Sequence, residues 1–226
     1  MILSKGNFRF IKLQQDDLEL VRQWRNSPRI SQFMEYREYI TPEKQQEWFE
    51  SVNNQFNLYF LIEYEFKKIG LINAKDIDWD KASIEGGIFF WEEEIYNTPI
   101  PAFVSILFAE LMIRILHLTV YAHILKTNDR AIRYNLQLGF ELCSGQETVE
   151  NQQYVLTPES YLEKSARLRK AFYILMGNSP YVLLIEPDDI KTGIGGKLLE
   201  RIEPSSITSI QETAEGKRIV FDFSRL

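Results

Sequence analysis

Asn128-Asp129-Arg130-Ala131-Ile132-Arg133-Tyr134-Asn135-Leu136-Gln137-Leu138-Gly139-Phe140 reads as one helix with both ends marked. Asn128 or Asp129 caps its start, because a side-chain oxygen there accepts a backbone N–H that has no partner inside the helix. Gly139 ends it, because a chain that turns back sharply after a helix needs a residue that tolerates a left-handed backbone. The elements on either side follow from this one. Residues 118–125 before it read as a strand, and residues 154–156 after it can close a sheet. Upstream, residues 100–117 read as a strongly apolar helix. Its polar residues Ser105, Glu110, Arg114 and His117 fall near one face, so the rest of its surface must be buried.

Towards the amino end, residues 8–13 read as a first strand. Asp16 and Asp17 cap a helix carrying Leu18, Leu20, Val21 and Trp24 at helical spacing. That helix stops near Asn26-Ser27-Pro28, since proline disfavours helical geometry just before it. Thr41-Pro42 opens a second helix through Trp48 and Phe49, with Thr41 as cap and Pro42 at the first helical position. Residues 58–64 and 68–73 form a hairpin across a turn at residues 65–67. Residues 83–91 are a further strand, in which Gly86 and Gly87 mark a bulge or a close backbone approach. After Pro158 the pattern changes: a charged helix over 159–173, a strand at 181–186, a short helix at 197–202, and strands at 207–211 and 218–223. The expected organisation is a main domain over residues 1–158 and a small α+β appendage over residues 159–226.

Bulk composition narrows the function classes. The 226 residues are 45% hydrophobic, enough for a large core. The formal net charge of −6 argues against nucleic acid as the main partner, because phosphate binding needs clustered Lys and Arg. Cys143 is the one cysteine, so neither a disulfide framework nor a thiolate metal site can be built. The first residues lack an apolar signal core, and the longest apolar run, 101–116, is too short for a bilayer and contains Glu110 and Arg114. The expectation is a soluble cytoplasmic protein with no membrane partner.

With the elements in the order strand, two helices, three strands, long helix, strand, helix, strand, the chain resembles the GNAT superfamily of N-acetyltransferases. The branch it resembles is that of ribosomal-protein and nucleotide-sugar acetyltransferases. The matching stretches are Trp24-Arg25-Asn26-Ser27-Pro28; Ile40-Thr41-Pro42-Glu43 followed by Trp48-Phe49; Tyr59-Phe60-Leu61-Ile62; Ile69-Gly70-Leu71-Ile72-Asn73; Glu85-Gly86-Gly87-Ile88-Phe89; and the segment 128–140. They cover about two-thirds of the chain in the family's order, which is more specific than any one of them. The resemblance implies an α+β fold: a mixed, mostly antiparallel sheet with splayed central strands and flanking helices.

It also implies acetyl-CoA as acyl donor, with no metal. The cofactor's pantetheine arm would pair with the strand at Ile88, Phe89, Phe90 and Trp91. The pyrophosphate would sit on the N-terminal N–H groups of the next helix, at Ala102, Phe103 and Val104, where the helix dipole favours anions. Asn128 and Ala131 would face the cofactor from the last helix. Trp24, Arg25, Arg29 and Tyr36 would line the acceptor side. Trp24 reads equally as core, and Arg25 as a surface ion pair.

Acetyl transfer needs a base for the amine and a proton for the departing thiolate. Glu85 is the first choice of base, with Asp76 and Asp78 second; Asp78 is also a candidate acceptor contact. A strand N–H near Phe90 would polarise the carbonyl. The family often places a tyrosine four residues before the glycine of Leu-Gly-Phe. Here Asn135 stands there, and Tyr134 is one residue earlier, about 100° round the helix. Tyr134 is either the proton donor or core packing.

The chain departs from the family at the pyrophosphate turn. Tyr96-Asn97-Thr98-Pro99-Ile100-Pro101 has no glycine, and its prolines lack N–H donors. Glu92-Glu93-Glu94 beside it reads as a solvated loop that would repel phosphate at close range. Lys191-Thr192-Gly193-Ile194-Gly195-Gly196-Lys197 mimics the missing turn, and reads either as a phosphate contact or as a glycine turn of the appendage. His117 and His123 form no metal constellation and read as structural; Cys143 reads as inert. The expected function is acetyl-CoA-dependent N-acetylation of a primary amine. The acceptor would be an amino sugar on a nucleotide carrier or, next, a protein N-terminus, and a homodimer is allowed. The other reading is a degenerate member of the fold that binds CoA weakly or not at all and serves as an interaction module.

Overall fold

The computed structural model describes residues 1–223. The chain opens with a hairpin, β1 (Ile2–Lys5) and β2 (Phe8–Lys12), and then passes to helices α1 (Leu18–Asn26), α2 (Pro28–Ser31) and α3 (Pro42–Val52). Ser27 takes an extended backbone between α1 and α2, as the following Pro28 requires. The Thr41 hydroxyl oxygen accepts the N–H of Lys44 at 3.2 Å and so starts α3. The first strand, β1, was not expected from the sequence. It is four residues long, and besides β2 it pairs with a strand from the far end of the chain.

Strands β3 (Leu58–Tyr64), β4 (Lys67–Asp78) and β5 (Ser83–Phe90) form an antiparallel meander. Helix α4 (Ile100–Ala109) leads to β6 (Thr119–Leu125), α5 (Asp129–Leu138), β7 (Glu141–Leu142) and β8 (Asn151–Leu156). Helix α5 has the expected limits: the Asn128 side chain accepts the N–H of Ala131 at 3.1 Å, and Gly139 adopts φ +104°. The apolar helix expected over 100–117 changes its winding. After Ala109 it continues as a π-helical turn, Glu110–Ile115, in which the N–H of Leu116 reaches back five residues to Leu111 at 3.0 Å.

The remaining elements are α6 (Pro158–Lys164), α7 (Ala166–Met176), β9 (Tyr181–Ile185), α8 (Pro187–Lys191), α9 (Ile194–Arg201), β10 (Ile207–Thr213) and β11 (Gly216–Phe221). All eleven strands of the described residues belong to one sheet, in the order β10-β11-β9-β1-β2-β3-β4-β5-β6-β8-β7. Strand β9 lies antiparallel between β1 and β11, with Leu184 opposite both Ile2 and Arg218. The segment expected as an appendage therefore extends the main sheet.

Side chains from this segment also enter the core. The Tyr181 hydroxyl donates to the carbonyl of Leu107 at 2.7 Å and faces the N–H of Leu111. An α-helix would join those two backbone groups, so the phenol stands where the helical ladder changes register. Tyr161 donates to fully buried Glu110 at 2.8 Å, and Arg114 closes the ion pair at 2.8 Å. The two sheet faces carry separate cores. Leu61, Leu71, Phe89 and Trp91 pack under α1 to α3, while Phe10, Phe60, Ile72 and Phe90 belong to the larger core with α4. The fold is mixed α+β with a mostly antiparallel sheet.

Candidate active site

Every strand pairing in the sheet is antiparallel except one. Strands β5 and β6 run parallel and pair at Ser83 with Thr119, Ile84 with Val120 and Glu85 with Tyr121, and then separate. The Trp91 N–H bonds to Ile69 of β4 at 2.8 Å. Because backbone direction alternates along a strand, Phe89 and Gly87 also face β4, and Ile88 turns its N–H and C=O into the gap. The gap opens into a cleft of about 1380 Å³ that passes through the sheet. One end is lined by Arg25, Arg29, Tyr36, Tyr59 and Asn73, and the other by Ala102, Ser105, Asn128, Ala131 and Tyr134.

Glu85 lies at the point where the strands part. One carboxylate oxygen is 2.9 Å from Lys75 Nζ of β4, and the other is 3.1 Å from His123 Nδ1 of β6. All three side chains share one face, because Lys75 is opposite Glu85 and Tyr121 is opposite Glu85, two residues before His123. A proton on Nδ1, shared with Glu85, leaves the Nε2 lone pair of His123 free. Both residues line the cleft. Tyr59 is close by, in edge contact with Trp48 at 4.9 Å between ring centroids. Burial first, and then the charges of Asp76 and Glu85, push its phenol up to about 12, against the opposing charge of Arg25. Asp76 itself is exposed, 3.8 Å from Lys75.

On the opposite side, the first turn of α4 offers fewer donors than expected. The N–H of Ile100 bonds to the Thr98 hydroxyl at 3.2 Å, Pro101 has none, and the N–H of Phe103 bonds to the Pro99 carbonyl at 3.1 Å. Only Ala102 keeps its N–H in this turn. The expected contribution of Phe103 is thus lost, and its buried ring packs against Phe8 and Phe172. The Phe90 N–H, expected to polarise a carbonyl, donates to the Tyr96 hydroxyl at 3.1 Å. Arg130 compensates in part: its guanidinium lies 4.0 Å from the Tyr96 ring centre and 3.5 Å from Glu93. Glu92 is paired with Lys67 at 2.7 Å, so two of the three neighbouring carboxylates are neutralised.

Tyr134 lines the cleft, donates to the Pro101 carbonyl at 2.6 Å and also meets the Ser105 hydroxyl. Burial raises its pKa well above the ordinary phenol value, against the effect of the Ser105 hydrogen bond. The groove therefore fits the pantetheine arm through Ile88. It fits a pyrophosphate through Ala102 and Arg130, rather than through a glycine turn.

Several expected site residues lie elsewhere. Asp78 accepts the N–H groups of Asp80 and Lys81 at 3.2 and 2.8 Å and forms the turn before β5, outside the cleft. Trp24 stacks on Trp91 with ring centres 5.6 Å apart and planes 5° apart; Trp91 is 3% exposed. This pair packs α1 onto the sheet and does not line the cleft. Gly193 begins α9 with φ +85°, and Gly195 packs against Ile185 and Ile190, so the second glycine turn is also outside it. His117 is exposed and lies 3.6 Å from Glu203. Conversely, His123 read as structural in the sequence, and Lys75, Tyr59 and Asn73 carried no signal as site residues, yet all four line the cleft. Among the described residues no group of His, Cys, Asp and Glu is arranged to hold a metal, and no helix is long and apolar enough to cross a membrane.

The sequence model of the acetyltransferase (GNAT) domain matches residues 7–141, more than half of the chain. The chain belongs to the GNAT acetyltransferase family. It is an N-acetyltransferase, and the donor used by this family is acetyl-CoA. No curated protein matches it. Solved structures similar to this chain include the following three. A putative acetyltransferase from T. thermophilus has TM-score 0.62 and 16% identity over 76% of this chain and 97% of the other. A domain from Methanocaldococcus jannaschii has TM-score 0.59 and 23% identity over 66% and 97%. Spermidine N-acetyltransferase from Vibrio cholerae, in complex with CoA and spermine, has TM-score 0.58 and 17% identity over 70% and 99%.

Proposed function

We propose that this acetyltransferase acts on the primary amine of a small acceptor bound at the Arg25–Tyr59 end of the cleft, with Glu85 and His123 serving as one base. The observation that carries this reading is the position of the pair. It lies at the last paired residue before β5 and β6 separate, between the acceptor end and the exposed backbone of Ile88. His123 Nε2 takes the proton released as the amine nitrogen bonds to the acetyl carbon. Glu85 holds the imidazole by Nδ1 and stabilises the resulting cation. The Ile88 N–H is the donor in place to polarise the thioester carbonyl. As the carbon–sulfur bond breaks, Tyr134 is the cleft hydroxyl that returns a proton to sulfur. Asn128, Ala131, Ala102 and Arg130 hold the donor's arm and phosphates.

The acceptor suggested by the Trp24-Arg25-Asn26 and Glu85-Gly86-Gly87 stretches is an amino sugar on a nucleotide carrier, with a protein N-terminus second. The similar spermidine enzyme keeps a polyamine as a further arm for any acceptor test, and a related dodecameric structure keeps self-association as one for solution mass. Steady-state acetylation tests the base. His123→Asn should lower kcat by about 10² or more, and Glu85→Gln by about tenfold, with KM for acetyl-CoA unchanged. Wild-type turnover in both variants would remove the pair from the mechanism.

A further inference from the structure

The acceptor end of the cleft contains two arginines without an acidic partner. Arg25, in the last turn of α1, and Arg29, four residues later in α2, both line it. Among the described residues no carboxylate or hydrogen-bond acceptor is recorded for either guanidinium. Arg29 lies 5.5 Å from the Trp24 ring centre, and Arg25 has only the charge of Tyr59 to oppose its burial. Burial lowers the pKa of Arg25, so the charge is held at a cost in the free protein. Arg9, Arg22, Arg114 and Arg130, by contrast, each meet a carboxylate. On the cleft wall, Glu85 is taken by Lys75 and His123, and Glu35 and Glu47 are exposed.

We infer that Arg25 and Arg29 bind an anionic group of the acceptor, a phosphate or carboxylate carried near the amine that is acetylated. This rests on the reading of the Arg25–Tyr59 end as the acceptor site and names the acceptor's charge. Tyr59, on the same cleft wall, feels the charges of both Arg25 and Glu85. A guanidinium pair favours a planar or tetrahedral oxyanion through paired N–H bonds, and repels a polycation placed in the same space. The site therefore selects an amine with an attached negative charge and disfavours a polyamine.

The test uses the full chain with CoA at saturation, so that the donor's own phosphate site is filled. Inorganic pyrophosphate, malonate and spermidine are then titrated against thermal stability in wild type, Arg25→Gln and Arg29→Gln. The expected result is stabilisation by pyrophosphate or malonate and none by spermidine. The midpoint concentration should rise about tenfold or more in Arg25→Gln. The better of the two anions tells phosphate from carboxylate. An unchanged midpoint in both variants, stabilisation by spermidine alone, or no response to either anion overturns the inference. A retained response to CoA in the variants shows that they are folded. Loss of the CoA response in wild type would strike the acetyltransferase site itself, whereas a CoA response without an anion response strikes only this inference.

Discussion

Glu85 has its two carboxylate oxygens on different partners, Lys75 at 2.9 Å and His123 at 3.1 Å. Such partly exposed pairs contribute about 0–1 kcal/mol each to stability, so their main effect is orientation. Lys75→Met should therefore change stability by less than about 1 kcal/mol in a denaturant titration. Tyr134 allows a sharper test. Tyr134→Phe removes the hydroxyl that meets Pro101 and Ser105. If it protonates the thiolate, kcat should fall by about 10²-fold with KM for acetyl-CoA little changed. A rise in KM with kcat intact would make it only an anchor between α4 and α5. Glu85 was legible in the sequence because it precedes Gly86-Gly87 in a recognisable strand. His123 was not, since a lone histidine in a strand has no visible partner. Its meeting with Glu85 depends on the parallel register of Glu85 with Tyr121, set by residues 36 positions apart in the chain. Arg25 and Arg29 were picked out as candidates by their sequence stretch and both line the cleft, but the absence of a carboxylate beside them belongs to the folded molecule.

At the scale of elements, the turn between β3 and β4 is made by Glu65 and Phe66 with φ of +49° and +65°. Neither is glycine or asparagine, and each left-handed residue costs roughly 1–2 kcal/mol. Phe66 is also 91% exposed. Replacing the two by Asn-Gly should stabilise the protein by about 1 kcal/mol, read from urea unfolding; destabilisation would mean that the Asn7–Glu65 hydrogen bond outweighs the backbone strain. Gly139 presents the opposite case. A Cβ there would come within 2.7 Å of the Ser160 carbonyl oxygen, at φ +104°. Gly139→Ala should cost more than about 1 kcal/mol. Helix α5 was read with its full limits because its cap and its stop are both local. The π-helical turn was not, because it forms around Tyr161 and Tyr181, which arrive from the carboxyl-terminal segment. For the same reason the continuation of the sheet through β9 was invisible: its partner β1 is more than 170 residues away in sequence.

At the scale of the whole molecule, seven of the eleven tyrosines have raised pKa values, with burial the first cause in each. Each holds its proton more tightly folded than unfolded. The stabilisation is complete below pH 10 and is lost as pH rises through the folded value, which for Tyr59 means between 10 and about 12. Tyrosinate absorbance should rise together with unfolding in that range; full ionisation with the fold intact would contradict the burial of these phenols. The family and the α+β class were legible from ordered local motifs. The meeting of Ala102 and Arg130 in one cleft was not, because it joins residues from two helices. The central claim is that this altered groove still binds acetyl-CoA. Thermal unfolding with and without the cofactor tests it most directly. At about 100 times its dissociation constant, acetyl-CoA should add roughly 2.7 kcal/mol and raise the midpoint by about 5–10 °C. An unchanged midpoint at millimolar acetyl-CoA would contradict it.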